Sequence, residues 1–397
     1  MSTWPWWARA LAVYALARAV SAVILLVVAS WQVANLWTPA SPSYPQFTGL
    51  MWDASWYREI AERGYPAELP VGAGGSVQQN VWAFYPLFPV LGRAVMAITG
   101  APWHVAAPLL AFVLGAAAMV VMHRAVEAGA PAAVAARPGL PLATVALVAF
   151  FPTSVVLQVA YTESLALLLI ASALLLLIRR QYALAALVVI ALGFTRAVAL
   201  PMAVVVVVHA GSRWRAHRRG ADRLARRDVV GQGVLLLAAG VAGFAWPAVC
   251  AAFTGTPDGY LRTQAAWRAR PDVVPFVPWL DVARWLGGSW GPLLLAVVLA
   301  AVVALVTCPP ARRLGPELRA WPVAYLAYLV AVVEPGTPLA RFLLLAFPLG
   351  AVTAGMVRKP AVRRRIWLAA VVVASGLLQV GWVWTLWRLT PPSGWPP

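Results

Sequence analysis

The chain alternates between long apolar runs and short clusters of arginine. Five of the runs approach the ~20 residues that a helix needs to cross a bilayer, and they span residues 8–31, 103–123, 229–252, 289–307 and 366–387. Arginines collect between the runs, as they do in the cytoplasmic loops of membrane proteins. The pattern therefore predicts an all-α polytopic membrane protein with about eleven transmembrane helices.

Two further apolar regions must leave the cytoplasmic side and return to it, because arginines flank both of them. They span residues 139–178 and 182–209, with polar breaks at 151–154 (Phe-Pro-Thr-Ser) and 195–196 (Thr-Arg). About 13 residues lie on each side of the second break, fewer than the ~20 of a full span. We expect short helices that reach partway, with Arg196 in a cavity that opens to the outside.

Two polar stretches, residues 32–101 and 253–288, are predicted to form long loops on the outer face. The first contains a short amphipathic stretch that reads as an interfacial helix. Asp53 can cap its N-terminus, and Gly64 can close its end. The tryptophans on either side of Asp53 suit the boundary between membrane and water. The sequence thus places an acidic helix on the outer membrane surface.

The rest of the pattern completes one membrane-embedded domain. Helices are predicted over residues 318–333 and 338–356, and the last run places the C-terminus outside. We find no internal repeat, soluble domain or glycine-rich nucleotide loop, so residues 1–397 read as a single domain. The first run keeps Arg18 and lacks a clear small-residue cleavage site, which favours a retained anchor in the plasma membrane.

The amino-acid composition agrees with a membrane protein and limits the classes of binding partner to be expected. The 397 residues are 62% hydrophobic and 11% charged, with a mean hydropathy of +0.78, whereas soluble domains contain about 25% charged residues. A net charge of +18 is typical of proteins that bind nucleic acid. In this chain, however, the arginines are divided among the predicted inner loops, which accounts for the charge without such a partner. We therefore expect membrane lipids, and no nucleic acid, among the partners.

The predicted outer face holds the charged residues with catalytic potential. Asp53, Glu163 and Glu334 lie there, and Arg196 and Arg341 lie at the outer ends of apolar helices. A cation at the start of a helix is unfavourable for the helix dipole, so another group should hold Arg341. Two alternatives remain open. The arginines bind a phosphate, which the guanidinium fork matches, or they form buried ion pairs, Arg196 with Glu163 and Arg341 with Glu334.

Asp53 also has two interpretations, a helix cap alone or a general base.

The histidines form no metal cluster, since His123, His209 and His217 are predicted inside and His104 stands alone outside. Serine, histidine and acid do not gather into a hydrolase arrangement either. One outer carboxylate, outer arginines and many aromatic side chains fit transfer of a group from a lipid phosphate. The base would activate a hydroxyl, and the cations would bind the departing phosphate.

Several short motifs, in order along the chain, resemble those of the PIG-V-like mannosyltransferases. They are WDASWYREIAERGYP (52–66), AFYPLFP (83–89), FPTS and YTES (151–164), TR (195–196) and RFLLLAFP (341–348). Ala197 stands where the family commonly has proline after the TR pair. Each motif alone is short, but together they cover most of the chain. Among relatives of this family, the actinobacterial enzymes that mannosylate phosphatidylinositol mannosides are the nearest model for this chain.

The resemblance implies a GT-C fold and an inverting glycosyltransferase. Such enzymes take a sugar, usually mannose, from a polyprenyl phosphate on the outer face and pass it to a lipid-linked or glycolipid acceptor. The family's catalytic acid lies in the first outer loop, which corresponds to Asp53. We expect Arg196 and Arg341 to hold the phosphate, with no metal or other cofactor required. The candidate sugar or acceptor contacts are Trp52, Tyr57, Tyr161, Thr162, Glu163, Trp267 and Glu334.

Two other classes of function compete with this interpretation. A transporter or lipid flippase also uses broken helices and intramembrane charges, but typically shows repeated halves. A membrane scaffold without activity would leave the carboxylate and the arginines on one face unexplained.

Overall fold

The computed structural model describes residues 4–268, 270, 274–357, 360–391, 394 and 396–397. Asp272, an acid predicted on the outer face, lies outside the described residues, as do Arg358 and Lys359, which are predicted on the inner face. The described part of the chain consists of helices and connecting turns, without a β-strand.

The first predicted span is a helix of 25 residues, and the polar stretch after it contains three short helices. These four are α1 (Trp6–Ser30), α2 (Tyr44–Gly49), α3 (Asp53–Arg63) and α4 (Leu87–Thr99). Helix α3 is the predicted amphipathic helix, and its buried face includes Tyr57 and Ile60. Helix α4 has 13 residues, about 20 Å, which is too short to cross a membrane.

Both predicted helix breaks are present. The next six helices are α5 (Trp103–Gly129), α6 (Pro131–Ala136), α7 (Leu140–Ala149), α8 (Glu163–Ile178), α9 (Tyr182–Gly193) and α10 (Ala199–Arg218). Helix α7 has 10 residues and α9 has 12, which corresponds to about 15 and 18 Å. Each therefore ends partway along the bundle, and the chain turns there before it runs back.

A buried arginine stabilises the end of α7. Arg18 lies within α1 and is 3% exposed. One of its guanidinium nitrogens donates to the carbonyl oxygen of Ala149 at 2.6 Å, and the group also bonds both the carbonyl and the hydroxyl of Ser154. The carbonyls at a helix end lack partners within the helix and carry partial negative charge. Arg18 satisfies them, which allows the chain to break inside the protein.

The described residues from 226 onward form eight α-helices. They are α11 (Arg226–Thr254), α12 (Gly259–Arg268), α13 (Val277–Gly287), α14 (Gly291–Thr307), α15 (Pro316–Val332), α16 (Leu339–Phe342), α17 (Pro348–Gly355) and α18 (Ala361–Trp382). The continuous helix predicted over residues 338–356 is wrong, because α16 and α17 are separate. Pro348 starts α17, and proline has no backbone N–H with which to continue the hydrogen bonds of a preceding helix.

Five helical stretches of the described residues are long and apolar enough to cross a membrane. The shorter apolar helices pack among them: α8 lies against α5 and α9, α9 against α11, and α10 against α11 and α15. Burial by neighbouring helices is what makes broken helices stable at membrane depth. The chain is an all-α, multi-pass membrane protein.

The close approach of α9 and α11 gives a test of this packing. A Cβ on Gly193 would lie 2.5 Å from the carbonyl oxygen of Ala242, which is backbone and cannot move aside easily. We expect Gly193→Ala to destabilise the protein by about 1–3 kcal/mol, as overpacking does. Gly240→Ala in α11 is the control, because open space surrounds Gly240. Thermal unfolding in detergent measures both, and equal melting temperatures would contradict the packing.

Candidate active site

Asp53 is the first residue of α3, and the prediction that it caps this helix is wrong. The N-cap position belongs to Trp52, and no side chain makes a capping bond there. Trp52 has φ 58° and ψ −127°, a conformation that normally requires glycine. It is held in place because its indole N–H donates to the carbonyl of Trp387 at 2.7 Å and its ring packs on Trp37. The rigid turn at Trp52 thus fixes the direction of the Asp53 side chain.

Four charged side chains form a row of alternating sign, which we call the charge row: Asp53, Arg341, Glu163 and Arg196. Arg341 donates to Asp53 Oδ2 at 2.5 Å and to Glu163 Oε1 at 3.1 Å. Arg196 donates to the same Glu163 oxygen at 2.7 Å. Glu163 is fully buried, and the side chain of Arg341 is 7% exposed. Two positive and two negative charges compensate one another, as burial requires.

The contacts of the charge row show which of the two ion pairs expected from the sequence is formed. The pair of Arg196 with Glu163 is confirmed. The pair of Arg341 with Glu334 is wrong, since Arg341 bonds Asp53 and Glu163 instead. Glu334 lies 3.9 Å from Arg270. Arg341, the third of the four residues of α16, is therefore held by two carboxylates from distant parts of the chain.

Three irregular segments supply Glu163, Arg196 and Arg341 of the charge row. Glu163 begins α8 directly after the first break, and Arg196 lies in the turn between α9 and α10. Arg341 belongs to the four-residue helix α16. The hydroxyl of Thr153 donates to the carbonyl of Ala340 at 3.2 Å and so ties the first break to α16. The breaks thus place charged side chains where continuous helices would place apolar ones.

Two groups of the charge row keep atoms available to a ligand. In the described part of the chain, Asp53 Oδ1 has no hydrogen-bond partner, and the Asp53 side chain is 17% exposed. Arg196 uses only Nη1 and is 15% exposed. Glu163 Oε2 is buried without a partner. The described residues contain no group of three or more His, Cys, Asp or Glu that could hold a metal ion.

Three of the predicted contact residues surround the charge row. The backbone N–H of Asp53 donates to the hydroxyl of Tyr161 at 3.2 Å. Thr162 accepts a bond from Arg196 at 3.0 Å, and its hydroxyl lies 3.4 Å from that of Tyr57. Burial, and next the charge of Asp53, raise the pKa of Tyr57, so its hydroxyl remains a hydrogen-bond donor at neutral pH.

The side chains of the other three predicted contact residues contact other parts of the protein. The indole N–H of Trp267 donates to the carbonyl of Asn80 at 3.3 Å, and its ring packs edge-on against Trp56. Trp52 is buried against aromatic neighbours. The structure therefore gives Trp52 and Trp267 contacts with the protein, and it places Glu334 beside Arg270.

One residue of the site was missed by sequence analysis. The ring of Phe342 lies 4.7 Å from the guanidinium carbon of Arg196 and 5.2 Å from that of Arg341. An aromatic face attracts cations, most strongly where water is excluded. The carbonyl of Phe342 accepts a bond from the Tyr325 hydroxyl at 3.0 Å, which fixes it. The signal was its position directly after Arg341, in what read as an apolar helix.

Solved structures of the oligosaccharyltransferase from Archaeoglobus fulgidus share this architecture. One, tethered to an acceptor peptide with the NVT sequon, matches 98% of this chain at a TM-score of 0.50 and 14% identity. Another, in complex with an inhibitory peptide and a dolichol-phosphate, matches 99% at a TM-score of 0.50 and 14% identity. This chain has a GT-C fold.

The GT-C fold is the feature that the two oligosaccharyltransferase structures share with this chain. The chain spans 56–57% of the length of the two oligosaccharyltransferase chains. No protein-family model matches it, and neither does any curated protein. Because a fold hosts many activities, function must be argued from the site itself.

Proposed function

We propose that this GT-C protein transfers mannose from a polyprenyl phosphate to a glycolipid acceptor, with inversion at the anomeric carbon. The site would face the outside of the plasma membrane, with the polyprenyl tail of the donor in lipid. Asp53 would act as the general base, and Arg196 and Arg341 would bind the phosphate. The arginines of the predicted inner loops support this outward orientation.

The geometry of Asp53 supports this proposal most directly. Arg341 holds Oδ2, which fixes the carboxylate, while Oδ1 has no hydrogen bond within the described residues. A general base needs this combination, because it must be oriented and still have a lone pair for the incoming proton. An acceptor hydroxyl at Oδ1 would lose its proton to Asp53 as its oxygen attacks the anomeric carbon.

The charge row also suits the leaving group. In the proposed reaction the bond between the anomeric carbon and the phosphate oxygen breaks, so the phosphate gains one negative charge. Asp53 loses one negative charge when it takes the proton. Arg341 is paired with Asp53. When Asp53 is neutralised by the proton, the positive charge of Arg341 becomes available to the phosphate, which gains its negative charge in the same step. Charge is then conserved within the site, and preorganised cations stabilise the transition state.

Two further points favour a lipid phosphate as the donor. The oligosaccharyltransferase of similar fold was solved with a dolichol-phosphate. The guanidinium fork of arginine matches phosphate oxygens in two parallel bonds, and Arg196 has unused donors. The hydroxyls of Tyr57, Tyr161 and Thr162 would contact the sugar, and the unpaired oxygen of Glu163 could accept a bond from a sugar hydroxyl.

Transfer by purified protein tests the proposal. We expect mannose from a synthetic polyprenyl-phosphate mannose to reach a membrane glycolipid extract, with release of one polyprenyl phosphate per sugar. A nucleotide-linked mannose should give no product, because it lacks the lipid anchor. Thin-layer chromatography of labelled lipid measures the product. Movement of the donor across vesicles without any sugar transfer would instead support the flippase alternative.

A further inference from the structure

A second charged site lies at the N-terminal end of α7, away from the break that precedes Glu163. A cavity of about 290 Å³ is lined by residues from the junction of α6 with α7, the connection before α15 and the start of α18. The helix α7 begins at this cavity and runs toward the break whose Thr153 contacts α16. By the predicted orientation, the cavity faces the cytoplasm, and the mechanism proposed above does not use it.

Three arginines line this cavity: Arg137, Arg313 and Arg364. They come from three inner clusters that are far apart in sequence, and the fold brings them together. The described lining residues include no aspartate or glutamate. The rest of the wall is mainly apolar and includes Ala133, Leu314 and Ala351. The cavity thus combines an apolar wall with guanidinium groups from three parts of the chain.

Arg137 shows that this arrangement is incomplete without a ligand. Its nitrogen Nη1 is buried and has no hydrogen-bond partner in the described part of the chain. Burial, and then the nearby charge of Arg364, lower the pKa of Arg137. A buried donor without a partner destabilises the fold, and more so when it is charged. Like charges that converge in one cavity add repulsion. An anion would remove both penalties.

We propose that the cavity binds a phosphate group, with Arg137 and Arg313 as its principal ligands. Arginine pairs with phosphate through two parallel hydrogen bonds. Basic pockets between transmembrane helices on the cytoplasmic side are known to receive phospholipid headgroups. The apolar wall suits an attached acyl chain, whereas a soluble phosphate would use the arginines alone. The two sources share the phosphate chemistry and differ in what binds the apolar wall.

Binding of short-chain lipids to the whole 397-residue chain in lipid-free neutral detergent tests the proposal. The probes are dihexanoyl phosphatidic acid, inorganic phosphate and dihexanoyl phosphatidylcholine, whose headgroup has no net charge. We expect phosphatidic acid to bind and to raise the melting temperature, since a ligand of the native state stabilises it. The double variant Arg137→Gln/Arg313→Gln should bind it about 10–100-fold more weakly, the value of lost charge-assisted bonds.

A matched variant controls for the loss of positive charge. Arg319 is exposed on the same predicted face and does not line the cavity, so Arg319→Gln should bind as the wild type does. Arg313 is exposed, and Arg313→Gln alone should fold normally and lose part of the affinity. These variants keep the result interpretable if the double variant is unstable.

Each outcome has a defined meaning. Binding of phosphatidic acid alone assigns the site to a lipid headgroup, and equal binding of inorganic phosphate assigns it to a soluble phosphate. Both results support a phosphate site. The proposal is wrong if neither probe binds, if phosphatidylcholine binds as well as phosphatidic acid, or if Arg313→Gln and Arg319→Gln behave alike. Sugar transfer is measured in a separate assay, so the result for the phosphate site can be distinguished from the result for the proposed function.

Discussion

Asp53→Asn is expected to lower the rate of sugar transfer by about 10²–10⁴-fold, the usual contribution of a general base. The amide keeps the size of the side chain and an oxygen that can accept a bond from Arg341, but it cannot take up the acceptor's proton. Stability should fall by about 1–3 kcal/mol, because a hydrogen bond between two charged groups is weakened. Turnover with polyprenyl-phosphate mannose and thermal unfolding measure the two effects separately.

Three further variants separate catalysis from structure. Asp258→Asn removes another outer-loop carboxylate, which pairs with Arg262 at 2.8 Å in an exposed position, and it should leave transfer unchanged. Asp53→Glu should remain poor, because the carboxylate moves by one methylene in a preorganised site. Asp53→Ala leaves space for a small acid, so added formate should restore part of its activity. A stable and fully active Asp53→Asn variant would show that Asp53 is not the base.

Replacing Arg341 should give the second large effect, because this side chain bonds both carboxylates of the charge row. Arg341→Ala leaves Asp53 without its partner and Glu163 with Arg196 alone. We expect a loss of about 3–5 kcal/mol in stability, as for other broken buried ion pairs. Arg341→Lys keeps the charge but not the fork. Its kcat/KM for the donor should fall by about 10²–10³-fold, the value of one lost transition-state contact.

Donor kinetics of the lysine variant decide whether Arg341 acts on the phosphate. Arg262→Lys is the control, since Arg262 is exposed and pairs only with Asp258 in the described part of the chain. If Arg341→Lys melts like the wild type and uses the donor equally well, the guanidinium fork of Arg341 is needed neither for the fold nor for the phosphate. A fall in stability with unchanged kinetics would show that Arg341 has a structural role alone.

The helix breaks were predictable because they follow from length and charge. Arginines on the same side at both ends of residues 139–178 and 182–209 require the chain to turn back, and the apolar segments are too short for two full spans. Glu163 and Arg196 then fall beside the breaks, so their pairing was among the expected alternatives. Pro348 contained the signal for the break between α16 and α17, but the apolar pattern concealed it.

Contacts between distant segments could not be predicted from the pattern. The sequence offered Glu334 as the neighbour of Arg341, whereas the fold brings Asp53 to it from 288 residues away. The backbone of Trp52 is another example. Its positive φ depends on Trp387 and Trp37, which hold the indole ring. Local preferences favour an acid as a helix cap, and tertiary contacts overrode this preference at Asp53.

The charge row has a consequence for the order of events during synthesis. Glu163 and Arg196 are 33 residues apart, while Asp53 and Arg341 are 288 apart. At about 5–20 residues per second, Glu163 meets its first partner within roughly 2–7 s, but Asp53 waits roughly 15–60 s for Arg341. A carboxylate without a counter-charge cannot stay in hydrocarbon for that time. Its position in a water-exposed loop therefore lets Asp53 remain solvated until the ribosome delivers Arg341 and the last helices close the bundle.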